Sequence, residues 1–220
     1  MATALVASIL TALLTLLPAR ATEWPAWSLP APLPRPGHSD LVYPAWFEGR
    51  WQVSSDDITY EAHFRRDANG VVGERAFNAE GVGRALLGDR LLSVEDDPAN
   101  PNRQIARLAG DQRLESTVVG RRIETGYIET EGPIFWADEL ALQVLHGPGE
   151  PRVSRVETLS RYQLEANGSI SGEQWQASYP SPALGLAAQP SSSGRYTLQL
   201  TPLPPAPADD PPGPQSGHAS

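Results

Sequence analysis

The side chains best suited to hold a small molecule are four aromatic residues and one carboxylate in the second half of the chain. Aromatic rings can stack on a flat tetrapyrrole or polyene, and a few polar groups in an apolar pocket fix a ligand's orientation. The sequence therefore predicts a binding site for a pigment-, lipid- or isoprenoid-like molecule. The predicted ligand-binding residues are Trp136, Asp138, Tyr162, Trp175 and Tyr179.

Hydroxyl and aliphatic side chains alternate with mostly charged ones in the segment that contains Tyr162. The even positions of residues 154–164 are Ser, Val, Thr, Ser, Tyr and Leu, which predicts a strand with this face turned inward. Such a face suits a ligand cavity with a few polar anchors. It equally suits a filled barrel in which each hydroxyl bonds a neighbouring strand, and the sequence leaves both alternatives open.

Motifs of known catalytic sites do not occur in the sequence. There is no G-x-S-x-G motif, no phosphate-binding glycine loop and no cysteine. Asp138 and Glu139 are adjacent on a predicted strand and point to opposite faces, so they cannot work as a carboxylate dyad. Asp138, predicted to face inward, is expected to be a salt-bridge partner or a polar group at the barrel mouth. A non-enzymatic protein is predicted, with a lyase or hydrolase site around Asp138 and His146 left open.

His63 and His146 are the histidines of the patterned region. His63 alternates with apolar residues and is predicted to be solvated, whereas His146 is predicted to lie at the rim beside Gly147. The sequence contains no H-E-x-x-H motif, no paired histidine spacing and no acidic calcium loop. No metal site is therefore predicted, and no motif requires a cofactor.

Short strands joined by tight turns must position these residues. Turn signals at Asn69-Gly70, Gly110-Asp111 and Asn167-Gly168 separate segments in which apolar and polar residues alternate. No segment is predicted as a helix. Residues 84–96 are predicted as one broken strand with its bend at Gly88-Asp89.

The segment 136–145 fits two patterns. Trp136, Leu140 and Val144 share the parity of Asp138, which predicts a strand with this face turned inward. The same segment also fits the apolar stripe of a helix. The strand is preferred.

The fold class predicted from this pattern is all-β. About 8 to 10 antiparallel strands in meander order indicate an up-and-down barrel, with a β-sandwich as the alternative. Closing the sheet into a barrel would leave no edge strands, which a chain without lysine cannot protect in the usual way.

The first predicted strand begins the patterned domain. Within residues 41–55, Phe47, Gly49, Trp51 and Val53 occupy alternate positions with polar residues between them. This alternation predicts a strand with one buried face. The domain is predicted to span residues 41–202.

Both ends of the chain differ in composition from this domain. Residues 1–21 resemble an export signal peptide, with an apolar run and an A-x-A cleavage site, and the run is too short to favour a membrane-spanning helix. Residues 22–40 are predicted as a proline-rich extended leader, and residues 203–220 as a disordered proline-rich tail. The protein is therefore expected to be exported, with a retained hydrophobic anchor as the alternative.

Charge and cysteine content exclude several classes of function. The formal net charge of −9 argues against non-specific binding to nucleic acid or to anionic membranes, which requires a basic surface. Because the chain has no cysteine, it contains no disulfide, thiolate metal site or thiol nucleophile.

Three motifs resemble a family of exported cyanobacterial proteins with plastid relatives. They are Y-P-x-W-F-x-G-x-W at residues 43–51, D-E-L-x-L-Q at 138–143 and V-E-T-x-x-x-Y at 156–162. The resemblance spans residues 41–202 and implies a calycin-like, lipocalin-type barrel in the thylakoid lumen or the periplasm. It implies no established activity.

The resemblance also implies structural roles for three residues. In lipocalin-like barrels the glycine of a G-x-W motif allows close backbone approach, and the indole plugs the closed end; Gly49 and Trp51 occupy these positions. Lipocalins usually place an arginine of the last strand over that indole in a cation–π contact. Arg195 is the candidate, although its parity with Tyr196 would turn it outward.

Two functions are compatible with these observations. The first is an exported, non-enzymatic barrel that binds a small hydrophobic ligand. The alternative is a structural or assembly factor that docks on a photosynthetic membrane complex. An interior cavity favours the first, and a contiguous exposed apolar surface favours the second.

Overall fold

The computed structural model describes residues 33–56, 58–185 and 189–204. The predicted export signal, most of the leader and the tail beyond residue 204 lie outside these ranges. Within them the chain forms one antiparallel sheet of eleven strands and an α-helix, α1 (Arg75–Leu87). The strands are β1 (Val42–Tyr43), β2 (Gly49–Ser55), β3 (Ile58–Asp67), β4 (Gly70–Gly73), β5 (Leu91–Asp97), β6 (Asn100–Leu108), β7 (Gln112–Ile128), β8 (Gly132–His146), β9 (Arg152–Leu164), β10 (Ile170–Tyr179) and β11 (Ser192–Pro202).

The strands follow the order β1-β4-β3-β2-β11-β10-β9-β8-β7-β6-β5, and the sheet curls into a half-barrel. The predicted all-β, antiparallel, barrel-like class is confirmed. The prediction that the sheet closes into a complete barrel was wrong, because β1 and β5 are edge strands that do not hydrogen-bond to each other. Among the described helices none is long and apolar enough to span a membrane.

Helix α1 occupies the region between the two ends of the sheet and packs against β3 and β5. The prediction of no helix was therefore wrong, and so was the single strand over residues 84–96, since Arg84 belongs to α1 and β5 begins only at Leu91. Two glycines and a buried asparagine interrupt the apolar stripe by which a helix is recognised. The expected bend at Gly88-Asp89 coincides with a short 3-10 turn that joins α1 to β5.

Asn78 and Gly81 fix the position of α1 on β3. The side-chain amide of Asn78 accepts a hydrogen bond from the His63 main-chain N–H at 2.7 Å and donates one to its carbonyl at 3.0 Å. At Gly81 the two elements approach so closely that an added Cβ would lie 2.8 Å from the Glu61 carbonyl oxygen.

Two apolar clusters fill the concave side of the sheet, and α1 contributes to both. The first apolar cluster includes Val82 of α1 and most of the buried aromatic rings, and the second includes Ala79. The buried members of the first are Leu41, Phe47, Trp51, Val53, Tyr60, Ala62, Phe64, Val71, Val82, Phe135, Ala137, Tyr162, Ile170, Leu198 and Leu200. Those of the second are Ala79, Leu91, Val94, Ala106, Leu108, Leu114 and Leu145.

The inward face predicted for the first strand is confirmed in β2, where Trp51 and Val53 are buried in the first apolar cluster. Phe47, expected on the same strand, is buried in that cluster too but belongs to a 3-10 turn (Ala45–Phe47) that precedes β2. The Trp51 indole nitrogen donates a 2.7 Å hydrogen bond to the Phe47 carbonyl, and Gly49 adopts a φ of 125°, which favours glycine. The hydrogen bond to Phe47 satisfies the one polar atom of the Trp51 side chain inside the core.

The strand preferred over a helix for residues 136–145 is confirmed as part of β8, but its predicted orientation was wrong. Phe135 and Ala137 face the concave side, and Trp136 and Asp138 face the convex side. Both faces are extensively buried here: Asp138 is 0% exposed although it lies outward. Alternation identifies a buried face only when the other face is solvated, so the pattern of β8 was ambiguous.

Candidate functional site

The five residues predicted to bind a ligand do not form one site. Tyr162 faces the concave side, where its ring packs edge-on against Phe47 at a centroid distance of 5.1 Å. Trp136, Asp138, Trp175 and Tyr179 share the convex face of β8 and β10. The sheet therefore separates Tyr162 from the other four.

On the convex face, Trp136 and Trp175 stack with centroids 6.1 Å apart and an interplanar angle of 17°. An arginine lies over each ring: Arg161 over Trp136 at 5.9 Å and Arg195 over Trp175 at 5.4 Å. These are cation–π contacts. The arginine proposed for the Trp51 indole thus lies over a different tryptophan and also pairs with Glu173, because its parity on β11 turns it outward.

A buried pair of acids, Asp138 and Glu157, lies farther along the same face. Both residues are 0% exposed. Arg122 donates to Asp138 Oδ2 at 3.0 Å, and the Tyr179 hydroxyl donates to Glu157 Oε2 at 2.9 Å.

Burial raises the pKa of Asp138 to about 6, although Arg122 opposes the shift. Of the two roles expected for Asp138, the structure shows the salt bridge, which it forms with Arg122. Asp138 does not form a polar group at a barrel mouth with His146, which lies eight positions along β8 and pairs with Glu115 at 3.2 Å.

Polar side chains line the concave side between the two apolar clusters. Gln174 donates to the Ser160 hydroxyl at 2.9 Å, and Gln176 to that of Thr158 at 3.4 Å. The predicted inward face of β9 is therefore observed, and its hydroxyl groups bond the neighbouring strand. Gln143 is completely buried with no hydrogen-bond partner for its amide among the described residues. The interior is thus polar where a hydrophobic ligand would need an apolar wall.

Four charged side chains meet next to these polar residues of the concave side. We call them the Arg75 ion cluster: Asp40, Arg75, Arg121 and Glu139. Arg75 Nε donates to Asp40 Oδ1 at 2.6 Å, and its Nη2 donates to Glu139 Oε1 at 2.8 Å. Arg121 Nε donates to the same Glu139 oxygen at 2.7 Å. Two guanidinium groups balance two carboxylates, so the cluster is electrically neutral.

The cluster is almost completely desolvated, since the side chains of Arg121, Arg75 and Glu139 are between 8% and 14% exposed. Burial raises the pKa of Glu139, but Arg75 and Arg121 outweigh burial and hold the pKa at about 2. The pKa of Arg75 is raised, because Glu139 and Asp40 outweigh the effect of its own burial. The charges of Glu139 and Arg75 are therefore retained at neutral pH.

The same cluster holds the end of the leader against the sheet. Arg121 donates to the Ser39 carbonyl at 2.8 Å and to Asn102 Oδ1 at 2.6 Å. Asn102 in turn donates to the carbonyls of Gly37 and Ser39. Residues 37–40 thus contact Asn102 of β6, Arg121 of β7 and Arg75 of α1.

A cleft of about 500 Å3 opens directly above Arg75 and Asp40. Its walls are the N-terminal turn of α1, the ends of β3 and β4, and the turn between β5 and β6. We call it the α1 cleft, and its lining residues are Asp40, Arg65, Gly73, Glu74, Arg75, Ala76, Phe77, Asp96, Asp97, Pro98 and Pro101. The volume lies in the range of small-molecule sites.

The lining of the α1 cleft combines acidic groups with apolar walls. Four carboxylates and two guanidinium groups give the lining a formal charge of −2. Phe77 is 46% exposed and lines the cleft together with two prolines, so the cleft also offers an apolar surface. An amphipathic molecule with a positive charge matches both properties.

His63 stands near this cleft, where its Nδ1 pairs with Glu74 at 3.0 Å and its ring meets Phe77 edge-on. His146 lies at the end of β8, as predicted. Within the described ranges, no group of three or more His, Asp or Glu side chains is arranged to hold a metal ion.

Sequence reasoning missed the α1 cleft and the Arg75 ion cluster. Asp40 belongs to a leader treated as extended, Arg75 opens a helix that was not predicted, and Glu139 was considered only as the neighbour of Asp138. One signal was present: Glu139 has the parity of the apolar residues Phe135, Ala137 and Ala141, and a charge on such a face requires a partner.

A family model described as a domain of unknown function, DUF6816, matches residues 54–203. The match covers more than half of the 220 residues and contains every strand from β3 to β11, together with α1. No curated protein and no solved structure matches the chain.

Proposed function

The chain belongs to the DUF6816 family, and we propose that it is an exported, non-enzymatic, calycin-like binding protein that holds a small molecule in the α1 cleft. The observation that carries this proposal is the cleft itself, about 500 Å3 in volume with the buried Arg75 at its floor. Export rests on the signal-like residues 1–21 and on the resemblance to lumenal proteins of cyanobacteria and plastids.

The ligand we propose is amphipathic and carries a positive charge. The excess of carboxylates in the cleft favours a cationic group, and Phe77 with Pro98 and Pro101 offers a surface for an apolar body. This differs from the purely hydrophobic ligand expected from the sequence. The change follows from the polar interior beside Ser160 and Gln174 and from the location of Trp136 and Trp175 on the convex face.

A binding role is favoured over catalysis because the acids on the convex face are enclosed by the protein. Asp138 and Glu157 are fully buried, so a substrate has no access to their carboxyl groups. In the α1 cleft, each carboxylate is engaged: Asp40 by Arg75, Glu74 by His63, Asp96 by Gln104, and Asp97 by Arg103. None of these contacts positions an acid and a base around a common reacting atom.

Thermal-shift measurements with three amphiphiles of equal chain length test the charge of the ligand. We expect an acylcholine to raise the melting temperature more than the matching fatty alcohol, and the fatty acid to have no effect. A ligand at about 100 times its Kd stabilises a protein by about 2.7 kcal/mol. A larger effect of the fatty acid would contradict the proposal.

Phe77→Ala tests the location of the site. It removes an apolar wall without emptying the core, because the ring is half-exposed, so we expect it to weaken binding of the acylcholine. Leu92→Ala is the matched control, since Leu92 is similarly exposed and does not line the cleft. Equal loss of binding in both variants would place the ligand elsewhere.

A further inference from the structure

The C-terminal half of β7 pairs with β8 on one side and with no described strand on the other, so it forms an exposed edge. Strand β6 pairs with β7 only from Gln112 to Thr117, whereas β8 pairs with β7 as far as Ile128. Beyond the irregularity at Val119, all five residues from 123 to 127 are exposed. An edge strand of this kind presents main-chain donors and acceptors to another chain.

The outward groups of this edge can be assigned from Arg121. Its main-chain N–H donates to the Pro34 carbonyl at 2.8 Å and so points away from β8. In an antiparallel pair this direction alternates with a period of two residues, so the N–H and C=O groups of Ile123, Thr125 and Tyr127 point the same way. No main-chain partner for these three residues occurs on that side within the described part of the chain.

The edge is held in place before any partner binds. The turn between β7 and β8 is fixed by Glu131, whose carboxylate pairs with Arg161 and whose carbonyl accepts from Gln163 at 3.0 Å. Arg161 and Gln163 belong to β9, so the protruding hairpin is tied to the body of the sheet. A pre-ordered edge reduces the entropy lost on binding.

The side chains of this edge define the chemistry of a partner. On one face, Ile123 is 47% and Tyr127 71% exposed, which favours β-branched or aromatic residues opposite them. On the other face and in the adjoining turn, Glu124 and Glu129 form no ion pair with a described residue. Acidic groups of this kind favour lysine or arginine in the partner.

We propose that the Ile123–Tyr127 edge of β7 binds an extended segment of another protein by strand addition, and that this segment alternates apolar and basic residues. Main-chain hydrogen bonds supply affinity and the alternating side chains supply specificity. The leader residue Pro34 already uses the same edge at Arg121.

Peptide binding to the purified full chain tests this proposal. The probe is a synthetic peptide that alternates valine and lysine, compared with the same peptide carrying glutamate in place of lysine. We expect binding of the lysine peptide alone, with slower hydrogen exchange at the amides of Ile123, Thr125 and Tyr127. Binding of both peptides, or of neither, would overturn the proposal, and so would a dimer of the chain that occupies this edge.

Substitutions at the edge separate main-chain pairing from non-specific attraction. Thr125→Pro removes an outward N–H that β8 does not use, so we expect about tenfold weaker binding, whereas Thr125→Val keeps that N–H and should bind as the parent does. Glu124→Lys should transfer the binding preference to the glutamate peptide. This variant tests the proposal even if Thr125→Pro does not fold. Unchanged preference in Glu124→Lys would refute the charge assignment.

Discussion

Gly81 of α1 lies against the main-chain carbonyl of Glu61 in β3, and a Cβ added to Gly81 would be 2.8 Å from that oxygen. This contact sets how closely the helix approaches the sheet. Alanine is normally favoured over glycine within a helix by about 1 kcal/mol. At Gly81 the steric conflict involves the backbone, so neither element can move a side chain aside.

We therefore expect Gly81→Ala to lower the free energy of unfolding by about 1–3 kcal/mol, the usual range for overpacking. Urea denaturation measures the change. Gly149→Ala is the control, because an added Cβ there meets no atom within 4 Å, and we expect that variant to be neutral or slightly stabilised. A stabilised Gly81→Ala variant would show that α1 can move away from β3.

The pKa of Asp138 predicts a specific dependence of stability on pH. Because burial raises the pKa from 3.8 to about 6, the folded protein keeps a proton that the unfolded chain releases. The stabilising contribution of this group is thus complete below pH 4 and is lost as the pH rises to about 6, by roughly 2–3 kcal/mol. The asparagine of Asp138→Asn cannot ionise, so this loss should disappear.

Denaturation curves at several values between pH 4 and pH 7 measure the effect as a difference between Asp138→Asn and the parent. Glu95→Gln is the control, since the Glu95 side chain is 60% exposed and its arginine partner is 3.8 Å away. Parallel pH profiles for Asp138→Asn and the parent would contradict the assignment.

Glu139 has the opposite pH dependence. Its pKa is lowered from 4.5 to about 2, so its contribution is present above pH 4.5 and is lost as the pH falls toward 2. Removing one partner of a buried ion pair costs about 3–5 kcal/mol. We expect Glu139→Gln to lose stability of this order at pH 7, because Arg75 and Arg121 would be left buried without their shared carboxylate.

Urea denaturation at pH 7 and pH 3 tests this prediction, with the difference between variant and parent shrinking at the lower pH. Glu95→Gln again provides the surface comparison, where an exposed pair contributes about 0–1 kcal/mol. A loss no larger than that of the surface variant would mean that the Arg75 ion cluster is dispensable for stability.

The hydroxyl of Tyr179 supports the buried acids. Replacing Tyr179 by phenylalanine removes the donor to Glu157 Oε2 and leaves that oxygen buried, at a cost of about 1–3 kcal/mol. Tyr127→Phe is the matched control, because Tyr127 is well exposed and its change should stay within about 0.5 kcal/mol. Thermal unfolding of the two variants should separate them clearly, and equal melting temperatures would be inconsistent with the role of Tyr179.

Strand positions were predictable wherever a turn and an alternation agreed. The turns at Gly110-Asp111 and Asn167-Gly168 lie where they were expected, with φ values of 78° at Gly110 and 82° at Gly168. Alternation in β2 also gave the correct inward residues, because solvent reaches its other face. In β8 both faces are buried, and the predicted orientation of Trp136 was wrong for that reason.

Helix α1 and the site beside it were not predictable by the same means. The helix depends on tertiary contacts such as those of Asn78 with His63, which no local pattern encodes. The Arg75 ion cluster beside the α1 cleft then combines Asp40, Arg75 and Glu139, which are far apart in sequence. Their meeting follows from where α1 is placed, and the placement depends on Gly81.

The strand order also governs how the chain can fold. Every ladder from β5 to β11 joins consecutive strands, and so do the ladders from β2 to β4. The ladder between β2 and β11 joins parts of the chain that are far apart in sequence. It comprises four residue pairs, from Gln199↔Ser54 to Pro202↔Trp51. Forming it closes a loop that contains most of the domain, which is slow in proportion to the entropy that must be lost. We therefore expect this ladder to form late in folding, and a truncation that removes β11 should leave the two meanders joined through α1 and the first apolar cluster but no longer through a continuous sheet.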